Sequence, residues 1–450
     1  MTQPKDRQSI QIREERAILA AVHLPESRYD ERDPLGELRA LAQTAGATAV
    51  GELTQSRQRP EPGMYMGSGK LEELRAMCEA LDAGAVIFDH ELSPRQIANI
   101  EKTLSVKVLD RSELILDIFA SRATTHAAKL QVEIAQLEYT YPRLRAMWDH
   151  LERIVGSGGI GGIGTRGPGE QQLEIDRRIV QRKLTQLRRE LETIEQRKAR
   201  EVRSRNDERF TVGLVGYTNA GKSTLFNTLT EGGAHASDRL FATLMTRTRE
   251  WDLGRGRTAM LSDTVGFVRD LPHNLVASFK ATLEEATHAD MLLIVLDVSD
   301  PSAEMHYATV MGTLDDIESS AKKAHEKAGE EYEPPRRVVL LNKADRLPDP
   351  APLLMWQQRA VDAVPFCAIE AGGLGHDELI DRVVQAMRGD IGVCRITLPM
   401  SQSKAVTMIE KQTDVHAREY NGTTVTYTTD IGDRQLAKLR SMGAEIEVES

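Results

Sequence analysis

One stretch of the sequence, Gly216-Tyr217-Thr218-Asn219-Ala220-Gly221-Lys222-Ser223, lies between an apolar run at residues 211–215 and a run with helical spacing at 224–229. Glycines near its two ends allow the backbone to curl so that successive N–H groups face inward, at the positive end of the following helix. A strand before and a helix after favour a phosphate-binding P-loop over a Gly-rich turn without a ligand. We expect Lys222 to contact the β- and γ-phosphates, Ser223 to offer its hydroxyl to Mg²⁺, and Thr224 to complete the nucleotide-binding segment.

Two further motifs follow in the order that a GTP-binding domain requires. Asp263-Thr264-Val265-Gly266 comes after a predicted strand at 258–262, where Asp263 would hold Mg²⁺ through water and the Gly266 N–H would sense the γ-phosphate. Asn342-Lys343-Ala344-Asp345 follows an apolar strand at 338–341. The Asp345 carboxylate can accept hydrogen bonds from the N1–H and the exocyclic amine of guanine, which adenine does not offer in that arrangement. The three motifs predict GTP binding by a domain at residues 208–390.

The composition sets the class of protein. A chain of 450 residues is long enough for about three domains, and its 40% hydrophobic and 28% charged residues are typical of a globular protein. No apolar run approaches the roughly 18 residues that cross a bilayer, and the polar N-terminus does not resemble a signal peptide, so we expect a cytoplasmic protein without a membrane span. Cys78, Cys367 and Cys394 are too far apart to indicate a disulfide framework or a zinc site.

The first part of the chain, residues 1–124, alternates short apolar runs with amphipathic ones. The pattern predicts a small α/β domain with a parallel sheet. Its strands are expected at 17–24, 47–53, 85–88 and 106–109, and its helices at 34–45, 70–81, 94–104 and 112–119. Gly67-Ser68-Gly69-Lys70 resembles part of a phosphate loop, but the chain just upstream is broken by prolines; a turn leading into a helix is favoured over an anion site.

Residues 125–207 predict an antiparallel two-helix arm. Apolar residues recur at steps of three and four in two segments, which is the pattern of helices that pack against each other. The two seams are Leu130, Ile134, Leu137, Tyr141, Leu144 and Trp148, and Val180, Leu184, Leu187, Leu191 and Ile194. Pro142 is expected to kink the first helix. Eight of the fourteen residues at 156–169, between the helices, are glycine, so the tip of the arm is predicted to be mobile when free.

The second helix of the arm is basic. From residue 176 to residue 209, twelve Lys and Arg face seven Asp and Glu, a local charge of +5 in a chain whose formal net charge is −10. A solvated helix face is the usual meaning of such a run. The combination of a basic helix, a glycine tip and a GTPase domain favours contact with an RNA backbone.

The last part, residues 391–450, predicts the order strand, helix, strand, strand, helix, strand, with a hairpin turn at Asn421-Gly422. This order is typical of a ferredoxin-like module, which by itself indicates no function. The whole chain is therefore expected to be a multidomain α/β protein with a parallel-sheet N-terminal domain, a helical arm, a P-loop GTPase domain and a small βαββαβ domain.

With these motifs in view, the sequence resembles the HflX family of ribosome-associated GTPases over most of its length. The most specific matches are Lys129-Leu130-Gln131-Val132-Glu133-Ile134-Ala135-Gln136-Leu137 and Gly162-Ile163-Gly164-Thr165-Arg166-Gly167-Pro168-Gly169-Glu170. The resemblance implies GTP hydrolysis stimulated by the large ribosomal subunit and its rRNA, and an action that separates or rescues stalled or idle ribosomes. A monomer is expected.

The resemblance also assigns roles to residues outside the three motifs. It places a switch threonine at Thr243, which would close on Mg²⁺ and the γ-phosphate, and it places Cys367 and Ala368 behind the guanine, where the Ala368 N–H could bond O6. The usual FATLD reads FATLM at 241–245, the usual SA(K) element reads Cys367-Ala368-Ile369, and the glycine tip is a few residues longer. Asn219 matches the position that coordinates K⁺ in some similar GTPases. Phe267 stands where many small GTPases carry a glutamine that orients the attacking water, so slow intrinsic hydrolysis is expected.

Two functions are consistent with these features. The first is an enzyme whose GTP cycle drives or times a change in the ribosome. The second is a GTP-gated binding switch that regulates a non-ribosomal protein partner and for which turnover is incidental. Stimulation of turnover by purified large subunits distinguishes them.

Overall fold

The computed structural model of the protein describes residues 15–27, 29–156, 178–194, 197, 210–230, 241, 247–254, 256–264, 266–269, 289–329, 332, 334–360, 362–388, 391–432, 436, 439 and 445–448. The glycine tip and the switch threonine Thr243 lie outside these ranges, as do most of the basic residues beyond residue 194.

The N-terminal domain is a four-stranded parallel sheet with helices on both faces, as the sequence predicts. Its elements in chain order are β1 Arg16–His23, α1 Gly36–Ala45, β2 Thr48–Ser56, α2 Ser68–Ala80, β3 Ala85–Phe88, α3 Pro94–Leu104, β4 Lys107–Asp110 and α4 Arg111–Arg122. The strand order is β2-β1-β3-β4. Strands β1 and β3 are buried because helices cover both faces, which explains their continuous apolar sequence.

Local sequence signals explain where several of these helices begin. In α3, the Ser93 hydroxyl accepts a hydrogen bond from the Gln96 N–H, the Gln96 side chain reaches back to the Ser93 N–H, and Pro94 occupies the first turn. Helix α2 begins at Ser68, so the Gly67-Ser68-Gly69-Lys70 segment is a turn leading into a helix, and Lys70 pairs with Glu73 at 2.7 Å.

The arm consists of α5, His126–Gly156, and a second helix α6 at residues 178–194. The helix α5 continues through Pro142. Leu130 and Ile134 of α5 pack against Leu184, Leu187 and Leu191 of α6, so these parts of the two predicted seams meet. Ion pairs from His126 to Glu190 and from Glu133 to Lys183 show that the two helices run in opposite directions.

The GTPase domain is a six-stranded sheet in the order β10-β9-β8-β5-β7-β6, in which β6 pairs antiparallel with β7 and the other neighbours are parallel. Its elements are β5 Thr211–Gly216, α7 Lys222–Leu229, β6 Arg247–Asp252, β7 Thr258–Asp263, β8 Met291–Asp297, α8 Ala303–Ala328, β9 Arg336–Asn342, α9 Ala351–Arg359, β10 Ala363–Pro365 and α10 His376–Arg388. The segments after β5, β7, β9 and β10 emerge at the carboxyl edge of the parallel strands, where such sheets bind ligands.

The C-terminal domain is an antiparallel sheet in the order β12-β13-β11-β14 with one fully described helix. Its elements are β11 Ile391–Pro399, α11 Ser403–Gln412, β12 Asp414–Asn421, β13 Thr424–Gly432 and β14 Glu445–Val448. Gly422 adopts a φ of 61° in the predicted hairpin turn. Between β13 and β14, where the sequence predicts a second helix, residues 436 and 439 are described, and both are helical. This arrangement matches the ferredoxin-like order.

Within the described part of the chain, no helix is both long and apolar enough to cross a membrane.

Candidate nucleotide site

The P-loop joins the buried strand β5 to α7 through a tightly curled segment. Gly216 has a φ of 155° and Gly221 a φ of 101°, conformations that residues with a β-carbon rarely adopt. A β-carbon at Gly216 would lie 2.3 Å from the Val295 carbonyl oxygen, and one at Gly221 would lie 2.3 Å from Nδ2 of Asn342. Both positions therefore require glycine, and the curl brings Lys222 to the start of the helix.

Lys222 lies inside the loop. Its side chain is buried, and Nζ donates hydrogen bonds to the carbonyl oxygens of Gly216 at 3.0 Å and Tyr217 at 2.7 Å. Burial lowers the pKa of Lys222 to about 8, although the negative charge of Asp263 acts in the opposite direction. The amine is thus held at the centre of the loop, where an added phosphate would favour its charged form.

Two oxygen atoms suited to Mg²⁺ lie beside this amine. The Ser223 hydroxyl donates to Oδ2 of Asp263 at 3.0 Å, and Asp263, at the end of β7, is buried. The Thr264 hydroxyl donates to the Leu214 carbonyl at 2.6 Å and fixes the segment against β5. A hydroxyl and a carboxylate in contact are the hard oxygen ligands that Mg²⁺ prefers, so these residues fit the metal.

The segment after Asp263 is pressed against the P-loop. The Phe267 N–H donates to the Gly216 carbonyl at 3.1 Å, and the Thr218 N–H donates to the Phe267 carbonyl at 2.7 Å. A β-carbon at Gly266 would meet Cγ2 of Thr218 at 2.8 Å and Nζ of Lys222 at 3.0 Å. The Phe267 side chain is buried in the core of the GTPase domain, so it offers nothing to an attacking water.

The predicted guanine-binding residues meet beside the same loop. Nδ2 of Asn342 donates to the Ala220 carbonyl at 2.7 Å, and its Oδ1 accepts the Ala368 N–H at 3.0 Å. Nζ of Lys343 donates to the Asn219 carbonyl at 3.1 Å and to Oδ2 of Asp297 at 2.6 Å. Asn342 and Lys343 therefore brace the P-loop, and the Ala368 N–H is engaged with Asn342 rather than open to a ligand.

Asp345 is exposed, two residues after Lys343, on a short 3-10 helix spanning Ala344–Arg346. The Cys367 thiol is buried nearby, and burial, together with the carboxylates of Asp345 and Glu370, raises its pKa. The cysteine that departs from the usual SA(K) element is therefore a neutral thiol near the predicted guanine acceptor.

The arm carries its positive charge on two faces. Lys183 and Arg188 pair with Glu133 and Glu138 of α5, so these two cations serve the contact between the helices. The other face of α6 forms a shallow groove, and the described residues that line it are basic or uncharged. This arginine face is lined by Arg178, Gln181, Arg182, Thr185, Gln186 and Arg189.

Sequence reasoning missed the residues with which the N-terminal domain contacts the GTPase domain. Arg111 donates to the Arg269 carbonyl, and the Arg269 guanidinium donates to Asp89. Their position in the sequence could have indicated them, because Asp89 and Arg111 follow directly after β3 and β4, at the carboxyl edge of a parallel sheet where functional residues usually lie.

Comparison with known proteins agrees with this architecture. Residues 32–120 match a family described as GTP-binding GTPase N-terminal, residues 122–205 one described as GTP-binding GTPase Middle Region, and residues 211–343 one described as 50S ribosome-binding GTPase. Three similar proteins are all described as GTPase HflX. That of Lacrimispora saccharolytica is 47% identical over 68% of this chain and 71% of its own length. That of Escherichia coli K12 is 39% identical over 87% of each chain. That of Magnetococcus marinus is 39% identical over 97% of this chain and 96% of its own.

Proposed function

Because the chain belongs to the HflX family of GTPases, we propose that its cycle of GTP binding and hydrolysis acts on the large ribosomal subunit and separates or rescues stalled or idle ribosomes. The observation that carries the proposal is the arginine face of α6, since exposed Arg178, Arg182 and Arg189 suit the regularly spaced phosphates of RNA. The match of residues 211–343 to the 50S ribosome-binding GTPases supports the same partner.

We propose the following nucleotide contacts. Lys222 binds the β- and γ-phosphates, Ser223 and Asp263 hold Mg²⁺, and Thr243 joins them as the family resemblance implies. When bound, Mg²⁺ would neutralise part of the phosphate charge. Asp345, supported by Cys367, accepts hydrogen bonds from the N1–H and the amine of guanine. When guanine binds, the Ala368 N–H donates to O6 of the base instead of to Asn342. The backbone cradle consists of Gly216, Tyr217, Thr218, Asn219, Ala220, Gly221 and Thr224, braced by Asn342 and Lys343.

The catalytic contacts proposed here come from the two switch segments. The Gly266 N–H binds the γ-phosphate, and Thr243 closes on Mg²⁺ and the γ-phosphate, as the family resemblance implies. Because the Phe267 side chain is buried, another group must position the attacking water, and intrinsic hydrolysis is slow. One candidate is a K⁺ ion held near the exposed Asn219. A faster rate in K⁺ than in Na⁺ at equal ionic strength supports this, and equal rates contradict it.

The experiment that tests the function measures multiple-turnover GTP hydrolysis with and without purified large subunits, in wild type and in the combined variant Arg178→Ala, Arg182→Ala and Arg189→Ala. Loss of phosphate contacts should reduce the stimulation of GTP hydrolysis by large subunits. It should also reduce the slope of log affinity for large subunits against log salt concentration, by about one unit per contact. The matched control is Lys102→Ala, Lys322→Ala and Lys323→Ala, which removes the same charge from other exposed surfaces. Equal stimulation of both variants would contradict the role of the arginine face.

The rival function, a GTP-gated switch for a non-ribosomal protein, makes a different prediction. Turnover would not respond to large subunits, and a nucleotide-dependent complex with another protein would form instead. The match of residues 211–343 to the 50S ribosome-binding GTPases favours the ribosome over such a partner.

A further inference from the structure

The N-terminal sheet has a crevice at the place where parallel sheets usually bind a ligand. Its strand order β2-β1-β3-β4 reverses between β1 and β3, and ligands of open α/β sheets bind outside the carboxyl ends of the strands at such a reversal. Asp89 directly follows β3, His23 ends β1, and Arg111 and Glu37 lie on the adjacent helices α4 and α1. We call the space between these four side chains the switch-point crevice.

The side chain that fills the switch-point crevice comes from the GTPase domain. Nη2 of Arg269 donates to Oδ2 of Asp89 at 2.5 Å, and its Nε lies 3.9 Å from Oε2 of Glu37. His23 is near enough to Asp89 and Arg269 that both charges influence its pKa, which burial lowers. Arg269 is 8% exposed, so its guanidinium is enclosed by the N-terminal domain.

Arg111 completes the receptor for Arg269. Its Nη1 donates to Oδ1 of Asp89 at 2.7 Å and its Nη2 to Oε1 of Glu37 at 2.5 Å, while Nε and Nη2 donate to the Arg269 carbonyl at 3.2 and 3.0 Å. Burial alone would lower the pKa of Arg111, but Glu37 and Asp89 outweigh burial and raise it, so the group stays charged. Two carboxylates and two guanidinium groups thus balance in a buried network.

The same network reaches the P-loop. The Tyr217 hydroxyl accepts the backbone N–H of Arg269 at 2.8 Å. Burial raises the pKa of Tyr217 well above its usual value, and the nearby Glu37 carboxylate raises it further, so the phenol keeps its proton. Its ring stacks on His306 at 3.8 Å. Arg269 also lies three residues after Gly266. The crevice is therefore connected to the phosphate site in two ways, through Tyr217 of the P-loop and through the chain from Gly266 to Arg269.

Apolar contacts independently join the N-terminal domain to both switch segments. Val268, beside Arg269, and Phe241, two residues before Thr243, belong to the hydrophobic core that includes Leu114 and Phe119 of the N-terminal domain. The rings of Phe119 and Phe241 meet edge to face at 4.6 Å. The N-terminal domain therefore packs against residues of both switch segments, whose positions depend on the γ-phosphate in GTPases.

We propose that the switch-point crevice is a receptor for the guanidinium group of Arg269, and that docking of Arg269 couples the position of the N-terminal domain to the nucleotide bound by the GTPase domain. The Asp89 and Glu37 carboxylates face the guanidinium of Arg269, and Arg111 holds both carboxylates in place. The coupling is reciprocal, because a nucleotide that shifts the switch segments changes the docking equilibrium and docking changes nucleotide affinity by the same factor.

The test uses the full chain with fluorophores on two introduced cysteines, Glu72→Cys on α2 and Asp316→Cys on α8, both exposed, while the three native cysteines are buried. Distances between the labels are measured with GDP and with a non-hydrolysable GTP analogue. We expect different distances for the two nucleotides in wild type, and loss of that difference in Arg269→Met and in Asp89→Asn. The matched control is Arg247→Met, an exposed arginine of β6. Identical wild-type distances, or a difference that survives in Arg269→Met, would overturn the coupling.

A rescue experiment tests the receptor itself and guards against misfolded variants. In Arg269→Ala, millimolar methylguanidinium should restore the wild-type distances, whereas methylammonium should not, because only the planar guanidinium matches the two carboxylates. Retained GDP binding shows that the variant is folded. Failure of rescue in such a folded variant contradicts the receptor.

Discussion

At the scale of single residues, the site depends on groups whose properties are changed by burial. Lys222 and Cys367 show this most clearly: both are buried, and the pKa shift of each follows first from burial. The amine becomes easier to deprotonate, while the thiol becomes harder to deprotonate and remains a donor. Each shift predicts a measurable property of the nucleotide site.

We expect nucleotide binding to take up protons near pH 8. The pKa of Lys222 is lowered to about 8 in the free protein, and phosphates would raise it in the complex. Affinity for GDP is therefore highest below pH 8, where the Lys222 amine is charged. It falls as the pH rises above 8, by up to about tenfold per pH unit. Calorimetry in buffers with different ionisation enthalpies measures the uptake. In Lys222→Met the uptake should disappear, and persistent uptake there would assign the proton to another group.

The Cys367 thiol is expected to contribute to guanine affinity by holding Asp345. Cys367→Val removes the thiol donor near Asp345 with little change of shape and should weaken GDP binding about fivefold, the value of one hydrogen bond of about 1 kcal/mol. Cys367→Ser keeps a donor and serves as the matched control. If the valine and serine variants bind GDP equally, the thiol does not support the carboxylate.

Base selectivity should follow Asp345 itself. Asp345→Asn replaces two acceptor oxygens with an amide, which faces the guanine donors with a donor of its own. Sites built on hydrogen bonds reject mismatched ligands by about 10⁴. We expect preference for xanthosine triphosphate over GTP in competition binding. Unchanged GTP affinity in this variant would refute the guanine assignment.

At the scale of elements, the helix α6 presents different residues on its two faces. The apolar seam and the cations Lys183 and Arg188 hold α6 against α5, and the arginine face stays exposed. The glycine tip between the helices carries Ile160, Ile163, Arg166 and Pro168, which a simple linker does not need. Ordering so many glycines costs free energy that a tightly fitting partner must supply.

Replacing residues 156–169 by a short turn tests the tip. GDP and GTP affinities should not change, because the nucleotide contacts lie in another domain, whereas stimulation by large subunits should be abolished or sharply reduced. A scrambled tip of equal length and composition is the matched control for loop length. A shortened protein that is stimulated and splits ribosomes as well as the intact one would exclude this role.

At the scale of the whole molecule, the domains differ in how they are joined. The N-terminal domain shares a hydrophobic core and a buried ionic network with the switch segments. The C-terminal domain has its own core, and within the described residues that core cluster draws only on residues 394–439. Coupling to the nucleotide is therefore expected for the first domain and not for the last.

Removal of residues 391–450 should accordingly leave GDP affinity and the unfolding temperature of the remaining protein nearly unchanged. Differential scanning calorimetry and GDP titration measure both quantities. Leu379→Ala, in the buried core of the GTPase domain, is the contrasting variant and should lower stability by about 2–5 kcal/mol. A tenfold loss of GDP affinity on truncation would show that the C-terminal domain supports the site.

Much of this architecture was determined by the sequence alone, because its signals are local. A glycine-bounded loop between a strand and a helix specifies the P-loop, and apolar runs specify buried strands: β3 begins and ends where the sequence predicts. Boundaries differ by a few residues elsewhere. Helix α4, for example, begins one residue earlier than predicted and continues to Arg122.

Only the tertiary structure decided how the N-terminal domain meets the nucleotide site. Asp89 and Arg269 are separated by 180 positions, and Arg111 and the Arg269 carbonyl by 158. Hydrophobic periodicity extends over a few turns or strands, so it carries no information about which distant charges become partners. Those pairings arise when two folded domains bury a common surface. Within that buried surface each charged side chain needs an oppositely charged partner, because an unpaired buried charge lowers the stability of the fold.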